Sequence, residues 1–376
     1  MKDKIIENKN LIIKVAVALI CVALLTGLVV VQYIYRSFTT YRTVKEVEIN
    51  GVSERRTIKM GDHLVMYNKD GMRCMDAKGK TVWDVTYQMQ EPCVATDGDM
   101  IAVGGYGDSK IYIMDDIGKV GEINTNLPIR NMCVARAGYV AAVLDDNDVY
   151  WIYLYDTDGE EIAKARVTMK QHGYPISITL SSNGKLLGVS YIYLDAGVME
   201  SRVAFYNFGE VGQNYTDQFM SSFIYREIVP ELHYMNSSVA MGISNDRLMV
   251  YSGSEKPAVQ KEVLLNEEVQ GVYWGDENVV LVYKGTSEQG KYFIQVYDMD
   301  GMLVLEKGFD LEYTGITSQN GIITIYNSNE ILVYTLDGRE RYSGSLDSNV
   351  KSIVSTAVKY KYLVLCDDTY KVIELE

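Results

Sequence analysis

At 376 residues the chain can fold as one large domain or as two of ordinary size. Thirty tyrosines and 31 glycines, with only five prolines and abundant valine and isoleucine, favour strands joined by tight turns over helices and leave no proline-rich linker. The net charge is −14, of which residues 1–36 contribute +3; the −17 on the remainder argues against duplex binding and flat docking on anionic lipid, and favours cations, basic peptides or neutral sugars as ligands.

Residues 1–10 read as a short basic tail with Lys2, Lys4 and Lys9. They lead into LIIKVAVALICVALLTGLVVVQYIY, residues 11–35, an apolar run whose main interruptions are Lys14 and Gln32. From Val15 to Tyr35 a helix rising about 1.5 Å per residue covers roughly 30 Å, the thickness of a bilayer core. A cleaved signal peptide needs a shorter apolar core followed by small residues, and VVVQYIYRSF offers none. Cys21 follows Ile20 in mid-run, which is not a lipid-attachment context. We therefore expect an uncleaved single-pass transmembrane helix at 11–35, the tail in the cytoplasm, and the bulk of the chain outside, joined by a linker over residues 36–42.

Residues 43–376 are expected to form one all-β domain. MDAKGKTVW at residue 75, MDDIGKVGE at 114 and YDTDGEEIA at 155 each place an Asp three residues before a Gly. The Asp accepts a hydrogen bond from a backbone N–H two residues on, and the Gly supplies the positive φ that closes a hairpin. The phrase recurs as Asp76/Gly79, Asp115/Gly118, Asp156/Gly159 and Asp298/Gly301, and in altered form at Asn207/Gly209, Ser252/Gly253 and Asp337/Gly338. Successive glycines lie 39, 41, 50, 44, 48 and 37 residues apart. Such a period, built of strand-like segments, marks a β-propeller of four-stranded blades. The second segment of each unit is an unbroken apolar run, as in MIAVGG, YVAAVL and VVLVY, which suits a strand covered on both faces. Fourth segments such as KTVWDV and VQKEVLL mix charged with apolar residues, as outer strands do. Seven units fit between residues 56 and 346. Residues 350–375 then supply only three strands, and TVKEVEI at residues 43–49 is the missing fourth. The expected ring is an eight-bladed β-propeller closed by an N-terminal strand, with seven blades as the alternative.

An N-terminal apolar segment followed by degenerate strand repeats with YDxxGK-like turns resembles the quinoprotein-like and WD40-like propellers. More closely, it is similar to a family of single-pass membrane-anchored Gram-positive bacterial proteins known only as a domain of unknown function. The resemblance covers the region after residue 40 and implies the propeller fold. Trp83, four residues after Gly79, matches the docking tryptophan of the quinoprotein blade motif, with the Asp-to-Gly spacing one residue short and no Trp in the other repeats. No calcium or quinone ligand of that family maps onto this sequence, so the resemblance implies no cofactor.

In a propeller the turns between first and second strands and between third and fourth share one face; the remaining loops share the other. The first set is short here, as in TDGD, SSNG and SQNG, and the second is long and varied, as in GGYGDSK, LDDNDVYW, YIYLDAGVMES, YKGTSEQGKY and TMKQHGYP. Loop variation on a rigid scaffold is where binding resides, so the candidate binding site lies on the long-loop face toward blades three to six. Its residues are Tyr106, Asp108, Asp145, Asp146, Asp148, His172, Tyr174, Asp195 and Tyr225. The loop acids Asp108, Asp145, Asp146, Asp148, Asp195, Asp367 and Asp368 are expected around the mouth of the central channel, as a cation site, a carboxylate pair for glycoside chemistry, or solvated turn formers. The apolar connector at 218–230 reads as the fourth strand of blade four more readily than as an exposed docking loop.

Cys74, Cys93, Cys133 and Cys366 lack zinc spacing and read as small core residues. DTDG and DMDG lack the late Glu of a calcium loop, GGYGD has no following helix to cradle a phosphate, and His63, His172 and His233 fall in separate blades. We thus expect no catalytic residues, no metal and no cofactor. The expected function is a non-enzymatic, membrane-tethered, extracytoplasmic binding or scaffold module for a protein or cell-envelope polymer, with no role in nucleic-acid binding. The alternative is a carbohydrate hydrolase or lyase using loop carboxylates.

Overall fold

The computed structural model describes residues 19–22, 24–27, 36–49, 56–147, 149–168, 173–286 and 290–376. Their strands form eight four-stranded antiparallel sheets. Blades 1 to 7 each take four consecutive strands, over residues 56–86, 92–124, 129–168, 174–225, 231–264, 269–309 and 315–345. Blade 8 takes Val350–Ser355, Lys361–Cys366 and Thr369–Leu375, with Tyr41–Glu48 as its outermost strand. Within each blade we letter the strands a to d from the channel outward. The N-terminal strand runs antiparallel to strand c of blade 8, with Tyr41 facing Leu375 and Glu48 facing Thr369. The ring therefore has eight blades, completed by the strand expected at 43–49 and found two residues further upstream.

Packing explains why every second strand lacks polar alternation. The buried apolar side chains fall into eight clusters, and each joins one pair of neighbouring blades. In blade 1, Leu64 and Met66 pack against Leu363 and Leu365 of blade 8, while Val65, between them in sequence, packs against Ile101 and Val103 of blade 2. Successive strand residues point to opposite faces, and here both faces are core, so a polar residue at either parity sits in an apolar interface. The outer strands have only one covered face: Ala258–Leu264 alternates between exposed and half-buried positions along its length. Phe219–Tyr225 is strand d of blade 4, as the connector was expected to be. Cys74, Cys133 and Cys366 are buried in these clusters, and burial pushes the Cys74 thiol up to about 12.

The Asp-x-x-Gly turns are the c–d hairpins. The Lys78 and Lys80 N–H groups donate to Asp76 Oδ1 at 2.9 and 2.8 Å, and Asp115, Asp156 and Asp298 hold their turns the same way. These turns also carry contacts between blades, because each leans on the outer strands of the blade before it. Gly79 of blade 1 lies against Val47 and Lys45 of blade 8, Gly159 of blade 3 against the Glu122 carbonyl of blade 2, and Gly338 of blade 7 against Leu305 of blade 6. The Trp83 indole of blade 1 donates to the Asp115 carbonyl in the turn of blade 2 at 2.9 Å.

At Gly159 (φ +82°) an added Cβ would lie 2.6 Å from the Glu122 oxygen; at Gly338 (φ +81°) its nearest neighbour would be a flexible Leu305 methyl at 3.4 Å. Gly338→Ala is therefore expected to cost about 1 kcal/mol for its left-handed backbone, and Gly159→Ala about 1–2 kcal/mol more for displacing the neighbouring blade. Calorimetric melting of both variants checks this, and equal shifts would mean that the turn of blade 3 does not bear on blade 2.

The expected transmembrane helix at 11–35 lies largely outside the described residues. Of it, residues 19–22 and 24–27 are helical, and among the described residues no helix is long and apolar enough to cross a membrane.

Candidate functional site

Strand a of each blade runs from the long-loop face to the short-turn face, so the b–c hairpins and the loops entering strand a meet at one end of the ring. There three of the expected residues come together around one the sequence reading missed. Arg130, at the start of strand a in blade 3, donates through Nε and Nη2 to Asp145 Oδ2 at 2.9 and 2.6 Å, closing the end of its own hairpin. The same guanidinium lies over the Tyr106 ring of blade 2, 4.9 Å from its centroid. Tyr150 meets Tyr174 edge to face at 5.1 Å, and burial raises both phenols above their ordinary range. The second carboxylate oxygen, Asp145 Oδ1, is buried with no hydrogen-bond partner among the described residues.

The other expected residues are placed differently. Asp108 stitches its loop to blade 3 through its backbone carbonyl, which accepts the Ile129 N–H at 2.8 Å, and Asp146 accepts the Trp151 indole at 3.4 Å. Tyr225 is buried to 6 % exposure in strand d of blade 4, where it accepts a hydrogen bond from the Tyr251 hydroxyl. Asp195 sits at the exposed end of the blade 4 hairpin. Asp367 pairs with Lys351 at 3.1 Å, and the Asp368 carbonyl accepts the Ile49 N–H. Asp148 and His172 lie outside the described residues. Among the described residues the loop acids are thus engaged one by one rather than gathered, and no group of three or more His, Cys, Asp or Glu is placed to hold a metal ion.

The most prominent feature of this face is the b–c hairpin of blade 4. Its strands, Leu186–Asp195 and Val198–Asn207, have ten residues each, against five to seven in the b and c strands of the other blades. Strand a ends its pairing at Ile192 and strand d at Ser201, so residues 193–200 project and, among the described residues, pair as strands only with each other. At about 3.4 Å per residue the projection reaches roughly 10 Å beyond the ring. Ala196 and Gly197, with φ of 48° and 87°, form the two-residue turn whose twist suits such a ribbon. Below the turn the tip carries Leu194, Val198 and Met199, which are 70 %, 57 % and 51 % exposed, and Ile224 on strand d is 59 % exposed.

A second concavity opens at the other end of the channel, on the short-turn face, where the loops had been read as plain turns. This cavity of ≈ 760 Å³ is lined by a–b turns from several blades, including those bearing Asp62, Asp97, Asp99 and Asp276. Lys59 of blade 1 reaches Asp276 of blade 6 at 3.4 Å, so an ion pair between non-adjacent blades bridges this end of the channel. His233 stacks on Trp274 with centroids 4.9 Å apart; burial, opposed in part by the charge of Asp97, lowers its pKa to about 4 and so favours the neutral ring at physiological pH. The expected loop acids are thus not gathered at a channel mouth, and the acids that do line one are different residues, at the opposite end and from different loops.

A family described as "Family of unknown function (DUF5711)" matches residues 34–375. No curated protein matches the sequence. Among solved structures, the chain is similar to BamB from Moraxella catarrhalis, at 9 % identity and a TM-score of 0.50, covering 89 % of this chain and 100 % of that one. It is also similar to Sqt1 from Saccharomyces cerevisiae, at 13 % identity and a TM-score of 0.51 over 91 % and 99 % of the two chains. Chaetomium thermophilum Sqt1, bound to the N-terminus of the ribosomal protein L10, gives 11 % identity and a TM-score of 0.52 over 83 % and 93 %. At these identities the likeness is one of fold.

Proposed function

The chain belongs to the DUF5711 family, a family of unknown function, and we propose that it is a membrane-tethered, extracytoplasmic binding module that holds a protein partner on its long-loop face. The projecting hairpin of blade 4 carries this reading. Leu194, Val198 and Met199 are large apolar side chains at the most outlying point of the face, where exposure to water is costly unless something covers them. The paired strands beneath them give these side chains a defined backbone, so docking orders less chain than an unpaired loop would. The cluster of Tyr106, Arg130, Tyr150 and Tyr174 adds aromatic and guanidinium groups of the kind enriched at protein interfaces.

The geometry of the N-terminal strand supports the tether. Thr39 and Thr40 exchange backbone hydrogen bonds with Glu376, and Phe38 N–H donates to the Arg341 carbonyl, so the chain comes in at the short-turn face. With residues 11–35 in the bilayer, that face looks toward the membrane and the hairpin looks away from it. A propeller of this fold, Chaetomium Sqt1, holds the N-terminus of another protein. A non-enzymatic role is supported by Asp145, whose Oδ2 is held by the Arg130 guanidinium at 2.6 Å.

Photo-crosslinking in the native membrane tests the reading. A crosslinker at Leu194 is expected to give one discrete protein adduct that Met199→Asp weakens at least about tenfold, the effect of an uncompensated charge in an apolar contact. A crosslinker at Ile117, on the short-turn face and 81 % exposed, is expected to give none. Adducts from Ile117 alone, or none from Leu194, would overturn the assignment of the face.

A further inference from the structure

A cavity of ≈ 700 Å³ opens on the short-turn face between blades 7 and 8, beside the point where the N-terminal segment meets the ring. Three cations line it: Arg36, Arg341 and Lys359. The two acids in its wall are already compensated from outside, Asp337 by Arg339 at 2.7 Å and Glu374 by Arg42 at 2.9 Å. Arg36 and Lys359 have no ion pair among the described residues. Arg341 is only 8 % exposed and lies over the Tyr360 ring; its Nη1 donates to the Arg36 carbonyl at 2.6 Å, while its Nε is buried without a hydrogen-bond partner among the described residues. The rest of the wall is apolar and aromatic, with Phe38 and Tyr360 in ring contact at 4.7 Å.

A buried guanidinium donor lacking an acceptor is costly in isolation. Two further cations without an ion pair among the described residues, Lys359 and Arg36, the latter over the Phe38 ring, make this a local anion site in a domain that carries −17 overall and otherwise repels anions. The pocket's mixed chemistry, cations with an apolar wall, fits an anion that carries hydrocarbon. Its position adjoins Arg36, the first residue after the expected membrane span. We infer that this cavity holds the phosphate of an anionic bilayer lipid, whose acyl chains remain in the membrane while its headgroup ties blades 7 and 8 to the bilayer surface. The inference rests on the tethered reading above. It assigns to the short-turn face a lipid contact, distinct from the protein contact of the opposite face.

The test uses the full chain reconstituted into phosphatidylcholine vesicles containing a photoreactive phosphatidylglycerol, with flotation and crosslink mapping read on the same sample. The chain is expected to float, and the lipid to attach within the wall of this cavity. Arg36→Glu combined with Lys359→Glu, both at exposed positions where folding is unaffected, is expected to reduce that attachment at least about tenfold without reducing flotation. Excess inorganic phosphate is expected to leave it unchanged. A chain that does not float overturns the tether and this inference with it. A chain that floats but attaches elsewhere, or equally in the double variant, overturns the pocket alone. Competition by inorganic phosphate would mean that the site takes a free anion and not a lipid. Arg341→Gln, which keeps a hydrogen-bond donor but removes the buried charge, is expected to lower attachment as well, and unchanged attachment there would overturn the role given to its guanidinium.

Discussion

Deleting residues 43–49 from the full chain is expected to convert the domain from a monodisperse, cooperatively melting protein into an aggregating one. The segment supplies strand d of blade 8, and its loss uncovers the backbone edge of Thr369–Leu375, a strand with Tyr370, Val372, Ile373 and Leu375 buried. An open, apolar edge recruits strands from other molecules. The direct losses are also large. Ile49 is 4 % exposed in the seam between blades 8 and 1, and its burial contributes about 2–3 kcal/mol. The ladder with strand c contributes about 1 kcal/mol net per hydrogen bond. Size-exclusion chromatography and calorimetry measure the outcome. Thr43→Ala with Glu48→Ala, which alters exposed side chains but keeps the backbone, is the control and is expected to behave like the parent. A truncated protein that stays monomeric with unchanged melting would show that this strand does not close the ring.

Tyr370→Ala is expected to destabilise the domain by about 3–5 kcal/mol, the range for removing a large buried aromatic. Tyr370 lies in strand c of blade 8 at 0 % exposure, packs with Leu64, Met66 and Met75 of blade 1, and donates through its hydroxyl to the Asp76 carbonyl at 2.8 Å. It thus joins the last blade to the c–d turn of the first blade, at the place where the ring must meet itself. Tyr370→Phe separates the two contributions. The Asp76 carbonyl still accepts the Gly79 N–H at 2.9 Å, so loss of the hydroxyl leaves no buried acceptor empty and is expected to cost only about 1 kcal/mol. Denaturant titrations of both variants measure these costs; a Tyr370→Ala cost below that of Tyr370→Phe would mean that the seam is not packed as described.

The fold was legible because its determinants are local and repeated. An Asp that accepts from its own turn and a Gly at positive φ need no partner elsewhere, so they recur in the sequence at the blade period. The unbroken apolar character of runs such as HLVMY follows from the two interfaces that Leu64 and Val65 serve. The purpose of the turns was not legible, since the contact of Gly159 with Glu122 joins residues of different blades. The candidate site was only partly readable for the same reason. Loop composition pointed to Tyr106, Asp145 and Tyr174, but Arg130, which organises them, lies inside strand a and looks like any strand residue. Tyr225 was drawn from an apolar connector whose residues 219–225 prove to be a strand, with Tyr225 at its buried end. The acids of the short-turn mouth did carry a signal: Asp62, Asp99 and Asp276 each follow a Gly in the a–b turns of three blades, a recurrence hidden by their resemblance to ordinary turn formers.

The antiparallel seating of Tyr41–Glu48 on Thr369–Leu375 also fixes how the domain bears load. Hydrogen bonds in such a pair run perpendicular to the strands. Under the proposed tether, a pull between a bilayer at the short-turn face and a partner at the opposite one would act along the length of that outermost strand, straining the bonds of the pair in shear, all together, instead of unzipping them one after another. The segment that completes the circle would then also carry the load, in a direction that such a pair resists well.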